Sequence, residues 1–396
     1  MSFAARLTRL PNAFDPERGS EAVAQVPDLS ADLEPLIAGT AGCSPYLDGL
    51  IGREGAWLAQ AMDAPEDALQ DVTRGVNEAG LSDLPKTLRA AKRRVALLAA
   101  LADLGGVWPL EAVTKSLTAL ADAAVHSAVR ALVGAEVARG KLPADGDPDD
   151  AGGMVVLAMG KMGAGELNYS SDIDLICLFD ETRYDPGDYH EVRAAFIRVT
   201  RKMAAMLSDV RDGGYVFRTD LRLRPDASVT PVCLSMEAAE RYYESVGRTW
   251  ERAAYIKARV CAGDQKAGAR FLKTLRPFVW RKHLDFAAIQ DAHDMRLKIR
   301  DHKGLHGPLH LEGHNMKLGR GGIREIEFFT QTRQLIAGGR DPSLRERTTK
   351  GGLESLALAG WVPESDAAQL YDHYRHHREV EHRLQMINDA QTHSLP

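Results

Sequence analysis

With 396 residues, the chain has length for two or three domains at about 150 residues each, which excludes a small stapled scaffold. Hydrophobic residues at 44 % and charged residues at 27 % are a globular composition and exclude wholesale disorder. Fifty Lys and Arg against 55 Asp and Glu leave a net charge of −5, so no overall positive field draws the chain to nucleic acid or an anionic membrane, and only a local basic site stays open.

The amino-terminal region reads as helix. Ser82-Asp83 is a capping signal, after which Leu88, Val95, Leu98 and Leu101 recur at helical spacing up to Gly105-Gly106. A second helix is predicted after Pro109, through Val113, Leu117, Leu120, Ala124, Val129 and Val133, towards Gly140. The breakers and acids of 143–153 predict a solvated linker, and the period then changes. Met154 to Met159 and Ile173 to Phe179 are apolar runs of buried-strand type, and Val192 to Leu207 marks a helix between strands. Tyr215 to Arg224 alternates, with Phe217, Thr219, Leu221 and Leu223 on one face and Arg218, Asp220, Arg222 and Arg224 on the other, so a strand is predicted there. Together these form a small α/β unit. Helical patterns return after residue 264, through Phe286 to Arg300, Ile323 to Ile336 and Tyr371 to Ile387. The expected division is a helical region (1–142), a catalytic unit (143–263) and a second helical region (264–396).

Four cysteines, Cys43, Cys177, Cys233 and Cys261, are too dispersed for a CxxC metal motif, and Met1 is not followed by a signal-peptide apolar run. No stretch of eighteen uninterrupted apolar residues suggests a membrane span, so a soluble protein of the reducing cytoplasm is expected.

The chemistry concentrates in Ser171-Asp172-Ile173-Asp174-Leu175. Two carboxylates two residues apart in a strand share one face, while Ile173 and Leu175 point into the core. Asp220, on a neighbouring strand, is expected beside them. Bare carboxylates about 5 Å apart repel by roughly 3 kcal/mol per pair at an effective dielectric near 20. A divalent ion with oxygen ligands, Mg²⁺ foremost, relieves that repulsion and organises phosphate oxygens for in-line displacement. Alone, a DxD pair is more often a solvated face or a partner for nearby arginines than a metal site. The upstream turn Gly160-Lys161-Met162-Gly163-Ala164-Gly165, whose glycines let backbone approach an anion, adds weight to phosphate-and-metal chemistry.

Competing motifs fail on spacing. Gly160, Gly163 and Gly165 do not make a dinucleotide fingerprint, Lys161 is not followed by the Ser or Thr of a P-loop, and Ser170 and Ser171 sit in no G-x-S-x-G elbow. His373 and His377 have i,i+4 spacing that zinc could use, but no HExxH accompanies them, and a solvated helix face explains His373, His376, His377 and His382 as well.

The run Met159-Gly-Lys-Met-Gly-Ala-Gly-Glu-Leu-Asn-Tyr-Ser-Ser-Asp-Ile-Asp-Leu175 resembles the signature of the bacterial glutamine synthetase adenylyltransferase/adenylyl-removing family. Tyr215 to Pro225, Tyr242 to Arg252 with Ile256-Lys-Ala-Arg259, Lys317-Leu-Gly-Arg-Gly-Gly-Ile-Arg-Glu-Ile-Glu-Phe328, Gly338 to Leu344 and Gln391 to Pro396 agree with it. The resemblance implies an α+β fold: a polymerase-β-like nucleotidyltransferase domain with a small mixed sheet, flanked by largely α-helical segments. That family carries two nucleotidyltransferase halves; the single DxD unit and the final block resemble the amino-terminal, deadenylylating half. Carried over by position, Asp172, Asp174 and Asp220 are the catalytic, metal-holding triad, and Gly160, Lys161, Ser171, Arg222, Arg224 and Lys257 the nucleotide- and phosphate-binding set. Glu251, Arg252, Arg259, Arg324, Glu325 and Glu327 are explained about as well by local ion pairs. The implied reaction is attack of inorganic phosphate on the adenylyl-tyrosine of glutamine synthetase, giving ADP, with Mg²⁺ as cofactor and the nitrogen-signal protein PII as regulator. Adenylyl transfer from ATP, or a noncatalytic docking module for glutamine synthetase or PII, stand as alternatives.

Overall fold

The computed structural model describes residues 3–144, 146–211, 213–282, 290 and 310–396. Helices α1 (Pro16–Val23), α2 (Glu34–Cys43), α3 (Pro45–Ala61) and α4 (Pro65–Glu78) lead into two long ones, α5 (Leu84–Leu104) and α6 (Leu110–Ala138). The long helices lie where the periodicity puts them: Pro85 pre-sets the first turn of α5, and Gly106, at φ +66°, takes the left-handed conformation just past its end. By length and composition α6 could cross a membrane, yet it serves as a core helix, packed on α5 and α4 with Val113, Leu117, Leu120 and Ala124 buried.

The mixed sheet follows. Strand β1 (Met154–Ala158) runs into helix α7 (Gly160–Ala164), then β2 (Ile173–Phe179), α8 (Tyr189–Ser208), β3 (Thr219–Asp220), β4 (Cys233–Ser235), α9 (Met236–Ser245), α10 (Thr249–Tyr255) and β5 (Arg259–Gly263). The strand order is β3-β2-β1-β5, with β4 also on β2. β1 pairs antiparallel with β2 and β5, whereas β3 and β4 pair parallel to β2. Both faces of the sheet are covered, which is why β1 and β2 read as continuous apolar runs. Met154, Val156, Ile173, Leu175 and Phe179 face a core shared with α5, α6 and α8; Val155, Leu157, Ile176 and Leu178 face a second core with α9, α10, α11 (Gln265–Thr274) and α12 (Arg276–Val279). The first core runs unbroken across residue 143, joining the amino-terminal helices to the sheet.

A third core, around Ile323, Leu344, Leu353, Leu356 and Tyr374, holds α13 (Ile323–Ala337), α14 (Thr349–Leu358) and α15 (Glu364–Met386) together. The end of α15 returns to the amino-terminal helices, where Ser44 Oγ donates to the Met386 carbonyl at 2.6 Å. The helix expected over Phe286–Arg300 lies, Gln290 apart, outside the described residues.

Two expectations are corrected. Of the strand predicted over Tyr215–Arg224, only Thr219 and Asp220 pair with the sheet. Upstream, the Val216 and Phe217 amides both donate to the Leu207 carbonyl at the end of α8; downstream, the Arg222 amide turns back to the Asp220 carboxylate at 2.8 Å, closing an Asx-type turn. The alternating pattern had this other explanation. The 143–153 segment is exposed over its described residues up to Asp149, as expected, but its end turns inward, with 3₁₀ turns on either side of a kink at Ala151 and Gly152 and with Ala151 and Gly153 buried.

Candidate acidic site

The first strand-turn-strand unit sets the site. Asp172 precedes β2 and Asp174 is its second residue, on the face that continues through Ile176 and Leu178, so both carboxylates project at the end of the sheet where the second core stops. Strand β3 places Asp220 directly opposite Asp174 in parallel register. Gly160, at φ +52°, gives the turn after β1 its left-handed conformation, and a Cβ there would stand 2.7 Å from Asp174 Oδ2. The glycine therefore makes room for the carboxylate.

The three acids are held differently. Arg218 Nε donates to Asp172 Oδ1 at 2.7 Å while its other nitrogens reach the Ser170 carbonyl and the Tyr215 hydroxyl. Arg222 grips both oxygens of Asp220 at 2.5–3.0 Å, and that grip holds the Asp220 carboxyl below the usual range. The Asp174 side chain has no hydrogen-bond or ion-pair partner among the described residues. Burial first, then the neighbouring charges of Asp220 and Asp172, push it up to about 6. Lys317 and Arg324, from the segment entering α13, pull in the opposite direction.

This donor set fits a hard divalent cation. All three groups are carboxylates, Asp172 keeps an oxygen that Arg218 does not use, and Arg222 is 83 % exposed, so it can swing away from Asp220 cheaply. Among the described residues no three His, Cys, Asp or Glu side chains are gathered as a ready-made cage, because the two arginines hold Asp172 and Asp220.

Several residues expected to bind nucleotide or phosphate are engaged elsewhere. Lys161 turns away from the acids and its Nζ donates to Glu381 of α15 at 3.0 and 3.2 Å; burial pushes its ammonium down to about 7 against the attraction of Glu381. Lys257 is buried between Glu327 at 2.8 Å and Glu166 at 3.3 Å. Arg224 donates to the carbonyls of Leu221, Ala227 and Thr230, which shapes the loop after β3. Each is satisfied by an internal partner, so none is presented to a ligand beside Asp174. Ser171 sits half-buried next to Asp172. The histidines also have local partners: His377 Nε2 meets the Gly321 carbonyl at 3.0 Å and His382 Nδ1 meets Asp103 at 2.8 Å.

Beneath the acids lies a buried ionic lattice that the sequence does not announce. Glu381, fully buried, faces Lys161, Arg378 and His393. Glu166 accepts from Lys257 and from the Thr349 amide, and Arg378 donates to the Glu166 carbonyl at 2.6 Å. Burial raises the Glu327 carboxyl, but Lys257, Arg324 and Lys161 overcome it and hold it down to about 2. A folded value below the unfolded one means stability that is present above the unfolded value and lost as pH falls through the folded one. We expect Glu327 to contribute about 3 kcal/mol that drains between pH 4.5 and 2, and urea unfolding of Glu327→Gln to lack that part of the acid slope. An unchanged slope would reject the Lys257–Glu327 pairing.

A DxD on the strand that follows a glycine turn, with a third carboxylate on the adjacent parallel strand of a small mixed sheet, defines the polymerase-β-like class of nucleotidyltransferase folds. Family comparison narrows this: the glutamate-ammonia ligase adenylyltransferase model matches residues 35–274, and the chain belongs to that family. A PII-uridylyltransferase model matches residues 293–396. Relatives named bifunctional glutamine synthetase adenylyltransferase/adenylyl-removing enzyme include one from a Bradyrhizobium species, 49 % identical over 93 % of this chain and 39 % of its own. Others are from Bradyrhizobium diazoefficiens, 47 % identical over 100 % of this chain and 42 % of the relative, and Caulobacter vibrioides, 46 % identical over 96 % and 39 %. The chain thus spans about two fifths of the length of these relatives.

Proposed function

We propose that this chain removes AMP from adenylylated glutamine synthetase by phosphorolysis. The observation that carries this reading is the Asp174 carboxylate, without a partner among the described residues and set beside Asp220 and Asp172, in a chain of this family. Asp172, Asp174 and Asp220 would hold a magnesium ion, which would supply charge neutralisation for the phosphate groups. Arg218 keeps Asp172 aimed into the site, and Gly160 leaves space for Asp174.

An oxygen of inorganic phosphate forms a bond to the AMP phosphorus as the bond to the tyrosyl oxygen breaks. The phosphate becomes the β-phosphate of ADP, and the phenolate takes a proton from it or from water. A phenol, with a reference pKa near 10, leaves more readily than an aliphatic alcohol, so no dedicated general acid is assigned. The match of 293–396 to a PII-uridylyltransferase model supports PII as the regulatory partner.

The product identifies the reaction. The chain, given adenylylated glutamine synthetase, Mg²⁺ and phosphate, is expected to release ADP at a rate that follows phosphate concentration. Incorporation of label from ATP into unmodified synthetase with release of pyrophosphate, and no ADP, would replace this reading with adenylylation. Binding of the synthetase with neither product would replace it with a docking role.

A further inference from the structure

Of the cations that the sequence offered for phosphate, Lys161 is spent on Glu381, Lys257 on Glu327 and Glu166 and Arg224 on backbone carbonyls, and Arg222 lies on Asp220. A phosphorolytic site still has to hold a free anion against three carboxylates. The segment entering α13 provides for this. Lys317, half-buried, has no ion-pair or side-chain hydrogen-bond partner among the described residues. Arg324 is 59 % exposed and its one ion pair among the described residues, to Glu327, is long at 3.7 Å.

The segment is held in place on both sides. The Ile323 and Arg324 amides donate to the carbonyls of Met316 and Lys317 at 2.9 Å, and the Met316 amide donates to His393 at 2.7 Å, fixing Lys317 beside the first turn of α13. Glu327, one turn on, bonds Lys257, whose carbonyl lies against Gly163 of the catalytic turn; a Cβ on Gly163 would approach it to 2.1 Å. The face of α13 bearing Arg324 and Glu327 is thereby pinned to the same turn that shapes the acidic site. Both cations act on the charge of Asp174, yet neither comes within 4 Å of its carboxylate.

We propose that Lys317 and Arg324 form the binding site for the attacking inorganic phosphate, and for the β-phosphate of the ADP it becomes. This inference rests on the phosphorolytic reading and names the anion-binding side of that site. A flexible ammonium and a planar guanidinium together suit a tetrahedral oxyanion.

The test compares wild type with Lys317→Met, Arg324→Met and Lys350→Met, the last a charge control on α14 whose ammonium pairs with Glu111 and Glu354. Calorimetric titration with ADP and Mg²⁺ is combined with phosphorolysis at varied phosphate. The expected result is a weakening of ADP binding and a rise in KM for phosphate of roughly tenfold or more in each site variant. The KM for adenylylated synthetase, the melting temperature and the Lys350→Met values should stay near wild type. Wild-type ADP and phosphate binding in both site variants overturns the inference, as does an equal rise in KM for both substrates. If wild type binds ADP with Mg²⁺ and the site variants lose it, but no ADP is ever released from the synthetase, the anion site stands and the phosphorolytic reading falls.

Discussion

Asp174→Asn is expected to cut ADP release from adenylylated glutamine synthetase by roughly 10³-fold, about 4 kcal/mol of barrier, without loss of the fold. The carboxylate is the one member of the acidic trio that no arginine pairs directly among the described residues, so it carries most of the unmet demand for a cation. An amide of the same shape removes that demand and also the repulsion from Asp172 and Asp220. Thermal unfolding of the variant is therefore expected at or slightly above the wild-type temperature, while calorimetric Mg²⁺ binding weakens. Turnover within a few-fold of wild type would remove Asp174 from the machinery. A collapse of the melting temperature would assign the residue to the scaffold.

The second large effect is on stability. Glu381→Gln should destabilise the chain by about 3–5 kcal/mol, because it strands Lys161 and Arg378 in the interior without their shared counterion. The loss should shrink as pH is raised from 6 to 9. Without Glu381 the buried Lys161 ammonium is driven further below its unfolded value, and between the two values the unfolded chain binds the extra proton, so stability rises with pH. Pairing the change with Lys161→Met should recover part of the loss, since the double variant removes both charges. Chemical denaturation of the two singles and the double reads this coupling directly, and additive losses would sever the Lys161–Glu381 link.

That lattice gives the acidic site its footing. Lys161 follows Gly160, whose missing Cβ leaves space for Asp174, and Glu381 ties that turn to α15. Lys257 and Glu327 tie it to α13, the helix that carries Arg324. The carboxyl-terminal helices are thus anchored to the nucleotidyltransferase unit by charge, and their attachment sets how Lys317 and Arg324 stand against the acids. A partner that shifts α13 or α15 would act on the site through these pairs.

The sequence by itself determined the local elements and the acidic pair. The two long helices, strands β1 and β2 and helix α8 follow from periodicity that each segment carries alone, and Asp172 and Asp174 share a face because side chains alternate along a strand. The predicted strand after Tyr215 failed because alternation is also satisfied by a chain tied at one end to α8 and turned at the other by Asp220 and Arg224. Only the tertiary structure decided which cations stay available. Lys161 meets a carboxylate 220 residues away and Lys257 one 70 residues away, whereas Lys317 has no ion-pair partner among the described residues. Charge acts through space, so a motif can name the charged groups, but the packing of distant helices determines which charges cancel and which remain for a substrate.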